Sequence, residues 1–210
     1  MHYHKPSVFE QPAIIDFGIN QVNYQFNNIT IDRTGSAIAS ISHTNNQLPS
    51  ASTLHAGFSQ YITGSVVKLS FPYLSNLYQL PNFIKIIKAQ LIIRPLQNSY
   101  QGNYHLPSRL RLSVTDQNNY LGSDLTVSSG SSNVVQYGNL FIDNLYGTQT
   151  AYTYDITNYL QAQMATTGTN QNGLLILPNG QAATFNRILI ADGTNTNNKT
   201  EVKIYYASIK

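Results

Sequence analysis

The sequence predicts an all-β fold: an antiparallel two-sheet β-sandwich or jelly roll with one short helix near residues 156–165 and an extended N-terminal arm. Three observations carry this. Apolar residues alternate with polar ones in several short runs, which is the period of a half-buried strand. Gly, Asn and Pro clusters punctuate those runs at short intervals, as turns of an antiparallel sandwich do. A length of 210 residues with 41% hydrophobic content suits a single sandwich core.

The arm, residues 1–20, mixes Pro6 and Pro12 with Val8, Phe9, Ile14, Ile15, Phe17 and Ile19. The prolines interrupt any continuous helix or strand. The segment is too apolar for a solvated tail. Two readings stay open for Phe9 and Phe17: docking on a partner protein, or packing along the same domain as an irregular edge.

The sandwich domain, residues 21–210, follows. Val22 to Phe26 and Ile29 to Ile31 alternate like strands, and Ala37 to Ile41 reads as another. Val67, Leu69 and Phe71 share one face of a strand that Pro72 stops, and Leu74 to Leu80 reads as a helical turn. The clearest strand is Ile84 to Arg94, with Ala89, Leu91 and Ile93 on one face and Lys88, Gln90, Ile92 and Arg94 on the other. After a polar loop (Gln97 to His105), Leu110, Leu112 and Val114 alternate with Arg109, Arg111 and Ser113. Asp116 to Asn119 reads as a turn, and Ser128 to Asn133 as a flexible loop. Tyr152 to Tyr154 ends a strand, and Asp155 or Thr157 then caps a helix with Ile156, Leu160 and Met164 on one face. The last third reads as a meander: Leu174 to Leu177, a turn at Pro178-Asn179-Gly180, Phe185 to Ala191, a polar hairpin loop from Asp192 to Lys199, and Val202 to Tyr206.

Composition narrows the function. Charged residues are 10% of the chain, against about 25% in ordinary proteins, while 23 Asn and 16 Gln supply polarity instead. The net charge of +3 is small, and Lys85, Lys88, Arg94, Arg109 and Arg111 fall where strand alternation sends side chains to solvent. No nucleic-acid partner is expected, since phosphate binding needs clustered cations. There is no cysteine, which excludes a disulfide framework and a thiol nucleophile. No apolar run reaches the 18 residues that argue for a membrane-spanning helix. The start, Met1 to Pro6, carries neither an apolar signal core nor a lipid-accepting Cys, so a mature or trimmed form of an exported protein is expected.

Catalytic constellations are weak, and no catalytic residue, cofactor or metal is predicted. A glycosidase needs two flanking carboxylates. Only Glu10 and Glu201 are glutamates, so such a pair would rest mostly on Asp32, Asp116, Asp124, Asp143, Asp155 and Asp192, several of them turn residues. The histidines (His2, His4, His43, His55, His105) fall in loops or the arm, and no nucleophile elbow accompanies them. Asp192 to Asn197 offers alternating oxygens, yet one carboxylate per loop is little charge for calcium. The residues most suited to contact a ligand are tyrosines in polar stretches: Tyr100, Tyr104, Tyr120, Tyr137 and Tyr146. Such rings stack on sugars or anchor protein interfaces, although tucking under their own loops is the competing reading.

Several stretches also carry a family resemblance. Leu69 to Leu74, Lys88-Ala89-Gln90-Leu91-Ile92-Ile93, Tyr154-Asp155-Ile156-Thr157 running into Leu160, Gly173 to Pro178, Arg187-Ile-Leu and Val202 to Tyr206 occur in an order that resembles the C-terminal half of an uncharacterised lipoprotein family of Bacteroidota outer membranes. More distantly the chain is similar to DNRLRE-type sandwich modules, some of which bind polysaccharide. The resemblance covers roughly Gly57 to Lys210 and has no active site to carry over. It implies an outer-membrane-surface or extracellular location and a non-enzymatic role as an accessory subunit of an outer-membrane protein complex, with an outer-membrane or surface protein as partner. A carbohydrate-binding module using the loop tyrosines, with a glycan as ligand, is the alternative, and a glycoside hydrolase is the least favoured reading.

Overall fold

The computed structural model describes residues 2–3, 13–14, 30–42, 46–79, 83–165, 172–178, 185–196 and 198–209. They fall into two compact units, Met1–Asp32 and Arg33–Lys210. In the first, β1 (His2–Tyr3) pairs antiparallel with β2 (Ala13–Ile14). Phe9, Phe17 and the expected strand Val22 to Phe26 lie outside the described residues, and Thr30 and Ile31 form no strand.

The second unit is the β-sandwich. Among the described residues its strands are β3 (Ala56–Ser59), β4 (Val67–Ser70), β5 (Phe83–Ile93), β6 (Arg109–Thr115), β7 (Leu121–Asp124), β8 (Thr126–Ser129), β9 (Ser132–Val135), β10 (Tyr137–Phe141), β11 (Ala151–Asp155), β12 (Gly173–Pro178), β13 (Ile188–Ala191) and β14 (Glu201–Ile209), with one α-helix, α1 (Thr157–Met164), between β11 and β12 and short 3-10 turns at Ser50–Thr53, Tyr61–Thr63 and Leu74–Gln79. A single curled sheet runs in the order β14-β5-β11-β10-β6-β12-β4, all antiparallel. The fold closes at β10. Its first residues pair with β6 (Tyr137↔Arg111, Gly138↔Leu110) and its last with β11 (Leu140↔Tyr152, Phe141↔Ala151). One strand thus passes from one half of the sandwich to the other, the corner device of folded sheets.

The alternation read in the sequence builds the core. Ala89, Leu91 and Ile93 of β5 and Tyr152 and Tyr154 of β11 meet Leu110 and Leu112 of β6 and Leu174 and Ile176 of β12. The two tyrosines carry phenols into this apolar space, and each hydroxyl donates to a backbone carbonyl: Tyr152 to Pro107, and Tyr154 to Leu110 at 3.0 Å. Burial raises both phenol pKa values above the ordinary tyrosine range, so neither titrates near neutrality. Strand β12 is buried at all six positions. It lies between β6 and β4, and Ser59 of the separate β3–β13 ribbon donates to its Ile176 carbonyl at 2.9 Å.

Helix α1 covers the part of β5 that β11 leaves bare. Strand β11 pairs with β5 only through Gln90 to Ile93. Beyond that, the Ile156 amide donates to the Ala89 carbonyl, the Ala89 amide donates to Thr157 Oγ1, and Gln161 Nε2 donates to the Ile86 carbonyl, at 2.8–2.9 Å. The helix therefore continues the ladder with its own polar groups, as buried backbone requires. Ile156 and Leu160 are buried and Met164 is partly so, as the periodicity predicts. The capping differs from expectation. Ile156 holds the N-cap position, Thr157 turns its hydroxyl to β5, and Asp155 accepts the Thr157 amide at 2.9 Å from one residue further out.

Other expectations are corrected. Ala37 to Ile41 is a succession of turns, with Ser36 N bonded to Arg33 O and Ala39 N to Ser36 O. Gly35 at φ +73° starts it, and local turn chemistry overrides the apolar run. Ser128 to Asn133 is no loose loop but the tip of a β8–β9 hairpin, with Val127 opposite Val134. That hairpin is an excursion from one strand path: β7 and β10 both pair with the same edge of β6, and Leu125 N bonds Leu112 O between them. Ser113 and Thr115 are buried where Val114 is half-buried, because Arg111 and Ser113 bond Asp124 of β7 on that face. The C-terminal third is not a meander. β12 inserts between β6 and β4, β13 pairs with β3, and β14 pairs with β5, so Asp192 to Lys199 crosses between sheets rather than closing a hairpin. Phe185 to Arg187 precede β13 without strand pairing. The turn expected at Asn179-Gly180 lies outside the described residues.

Candidate binding surface

Register places three connections at one end of the sandwich. Residues 94–108 leave β5 beside Tyr152, residues 142–150 lead into β11 at that same point, and residues 192–200 lead into β14 at Glu201, opposite Ile92. Arg94 Nη1 bonds Glu201 at 2.9 Å and the Lys199 carbonyl at 3.3 Å, and Asn198 Oδ1 accepts the Gln97 amide. A Cβ added at Gly147 would sit 3.6 Å from Gln97 Nε2, so the first two connections touch. The β3–β13 ribbon joins them through Leu96 N to Leu189 O at 2.9 Å.

The predicted tyrosines are dispersed over this frame. Tyr100, Tyr104 and Tyr146 lie on connections at this end. Tyr120 lies beyond the far end of β6, between Thr115 and Leu121. Tyr137 is not a loop residue at all. It pairs with Arg111 within β10, and the Arg109 guanidinium lies 5.9 Å from its ring centre. Tyr104 has the nearer cation: the Arg187 guanidinium carbon stacks 3.6 Å from its ring centre.

The 142–150 connection is shaped by one carboxylate. Asp143 Oδ1 accepts the amides of Leu145 and Tyr146, and Oδ2 those of Thr148 and Gln149, all at 3.1 Å. Its own amide donates to buried Thr150 Oγ1 at 3.0 Å. Gly147 at φ +68° makes the reversal that lets four amides converge. The Tyr146 amide foremost, with the other three donors acting against desolvation, holds the Asp143 carboxyl below its ordinary range. A lowered folded-state pKa means the stabilisation is complete above the unfolded value of about 3.9 and disappears as pH falls through the folded value. Amide exchange at Leu145 to Gln149 should therefore be slow at neutral pH, accelerate in acid relative to β5, and lose that pH dependence in Asp143→Asn. Held this way, the loop presents Leu145 (77% exposed) and Tyr146 (72%) outward, next to Phe141 (62%) at the end of β10. Sequence reading missed Phe141 and Leu145. The available signal was an apolar run, Leu140-Phe141-Ile142, continuing into a turn instead of alternating.

A second clasp joins β3 to β13. Ser50 Oγ donates to Asp192 Oδ2 at 2.8 Å, His55 Nδ1 lies 2.9 Å from the same oxygen, and Thr194 bonds Oδ1 through both amide and hydroxyl. Burial pushes the Asp192 carboxyl up, but the bonds from Thr194, Ser50 and His55 outweigh it and the pKa is lowered. A serine nucleophile needs its hydroxyl on the imidazole. Here Ser50 addresses the carboxylate, and the hydroxyl that does lie on the imidazole, Thr194 Oγ1 at 3.0 Å, meets the same Nδ1 that faces Asp192 and itself donates to that carboxylate, so the group ties loops together.

The other carboxylates in the sandwich unit are likewise engaged. Asp116 accepts the amides of Asn118 and Tyr120, Asp124 pairs with Arg111, Asp155 takes the Thr157 amide, and Glu201 pairs with Arg94. Among the described residues no three His, Cys, Asp or Glu side chains converge as a metal site would require, and no helix is long and apolar enough to cross a membrane.

An apolar cleft of about 300 Å³ opens where the curled sheet ends, between β14 and the turn that follows β4. Phe71, Leu74, Leu77, Leu160, Val202 and Ile204 line it, with Tyr73 at the rim. Tyr159 packs beside Phe71, ring centres 5.8 Å apart, and burial pushes its phenol up to about 12. No family model matches the chain, and no curated protein or solved structure matches it.

Proposed function

We propose that the chain is a non-enzymatic binding module that docks on a protein partner through the apolar shelf of the 142–150 loop, as an accessory subunit of an outer-membrane protein complex. The observation that carries this is the shelf itself. Ile142, Leu145 and Tyr146 are exposed beside exposed Phe141 at the end of β10, and the loop is held by the hydrogen bonds that converge on Asp143. Exposed apolar clusters on a rigid support are the usual anchors of interfaces, and pre-ordering the loop lowers the entropy lost on docking. The engagement of the sandwich carboxylates in pairs and turns supports a role without acid–base chemistry. The outer-membrane setting rests on the resemblance described above.

Cross-linking and co-purification from membranes, with parent and Leu145→Asp/Tyr146→Asp chains side by side, tests the reading. The double variant should lose partner capture at least tenfold, as about 1.4 kcal/mol or more of anchor energy implies, and keep the parent melting temperature because both side chains are solvent-exposed. Capture that is indifferent to the substitution, or recovery of the parent as a lone monomer, would count against it. A second reading, glycan recognition, is favoured by one specific observation, the half-exposed Tyr104 ring held in place by Arg187.

A further inference from the structure

We propose that Arg187 and Tyr104 together form a subsite for an acidic saccharide, with the guanidinium taking the sugar carboxylate. This rests on the glycan reading of Tyr104 and narrows it to uronic-acid-type residues. Other arginines have a polar partner for at least one terminal nitrogen: Arg94 pairs with Glu201, Arg111 with Asp124, and Arg33 donates through Nη2 to the Thr63 carbonyl at 3.2 Å, although its Nε, too, is buried without an acceptor. Arg187 has none of these among the described residues. It is half-buried, its Nε is shielded from solvent, and that N–H has no acceptor. A desolvated guanidinium donor without an acceptor is costly unless something supplies one.

The stack on Tyr104 explains how the cation stays in place and what it leaves available. Stacking uses the flat face of the guanidinium, while its N–H donors lie in its plane and point past the ring edge. An in-plane fork of donors matches a carboxylate, which accepts two parallel bonds. The surroundings suit a sugar ring rather than an acidic peptide. Tyr104 is 53% exposed and Phe185, two residues before Arg187, is 73% exposed, giving flat apolar faces for sugar C–H groups. Asn103, Gln101 and Asn186 are exposed beside them in the chain and offer both donors and acceptors to hydroxyls. Gln60 Nε2 donates to the Phe185 carbonyl at 2.8 Å and fixes the segment that carries Arg187 to the end of β3. A neutral sugar could stack here but would leave the guanidinium unpaired, which is the basis for discrimination.

The experiment is calorimetric titration of the full chain with an oligogalacturonate and with the same oligosaccharide after reduction of its carboxyl groups. The parent should bind the acidic form at least about tenfold more tightly than the reduced form. Arg187→Gln should abolish that preference, Arg187→Lys should weaken the acidic form while keeping some preference, and Tyr104→Ala should weaken both. Thermal melts of each variant confirm folding. Since Arg187→Lys keeps the charge and the stem, it serves if the Gln variant does not fold. Equal binding of the two forms, or a preference that survives Arg187→Gln, overturns the acidic subsite and leaves glycan recognition standing. Binding of neither form overturns both. An acidic peptide bound as tightly, with the same dependence on Arg187, overturns the saccharide assignment.

Discussion

Replacing Tyr154 with Ala should destabilise the sandwich by about 3–5 kcal/mol, the range for truncating a buried aromatic. In a domain of this size that corresponds to a fall in melting temperature of roughly 6–20 °C. The ring is almost wholly buried, its hydroxyl bonds the Leu110 carbonyl across the sandwich, and it lies directly over Gly138. A Cβ at Gly138 would overlap that ring. Gly138 has no left-handed backbone, so the ring is what forbids a side chain there. Gly138→Ala alone should cost about 1–3 kcal/mol by overpacking. In the Tyr154→Ala background the added methyl enters vacated space, and its cost should fall to near zero or reverse. The two changes should therefore couple by about 0.5–3 kcal/mol. Simple additivity in the double variant would show that β10 and β11 do not close on each other in this way.

This closure marks the limit of what the sequence reveals. Strand β5 was legible because its alternation is long and one face meets only the core, as were β12 and the helix face of Ile156 and Leu160. Strands β7 to β10 were not, because their residues are largely exposed and alternate weakly. Thr126 to Val135 is exposed almost throughout, so no apolar period distinguishes that hairpin from a Ser/Gly loop. Pairing partners were equally hidden. Leu174 to Leu177, Phe185 to Ala191 and Val202 to Tyr206 each read as strands, yet the strands they form each join a different neighbour, and the choice depends on contacts distant in sequence.

The candidate surface was legible in its residue types and not in its arrangement. Tyrosine in polar stretches pointed to Tyr104 and Tyr146, and both are half or more exposed at the same end of the sandwich. The features that distinguish them come from elsewhere in the chain. Arg187 reaches Tyr104 from 83 positions away, a separation no local pattern reports. Asp143 was weighed only as half of a carboxylate pair, although an Asp four residues before a Gly is itself a turn signal. Tyr137 misled because Gln136 and Gly138 around it resemble a loop, whereas Gly138 is small in order to accept the Tyr154 ring.

Leu160→Ala should cost about 2–5 kcal/mol, and where it falls in that range depends on the cleft. Leu160 is fully buried by its neighbours yet forms one wall of the apolar cleft beside Val202 and Ile204. The void left by truncation would merge with that cleft, and half-buried Met164, one turn on, is flexible enough to lean into it. Both effects favour the lower half of the range. The lost packing should also loosen α1 from β5 before the rest of the sandwich opens. The Ala89 amide depends on Thr157 Oγ1, whereas Leu91 lies opposite Tyr154 in the β5–β11 ladder. Hydrogen exchange should therefore quicken at Ala89 in Leu160→Ala by more than the global loss of stability accounts for, while Leu91 follows the global value. If Ala89 and Leu91 change together, the helix and β5 form one cooperative unit; if the variant melts with the parent, α1 contributes nothing to the core.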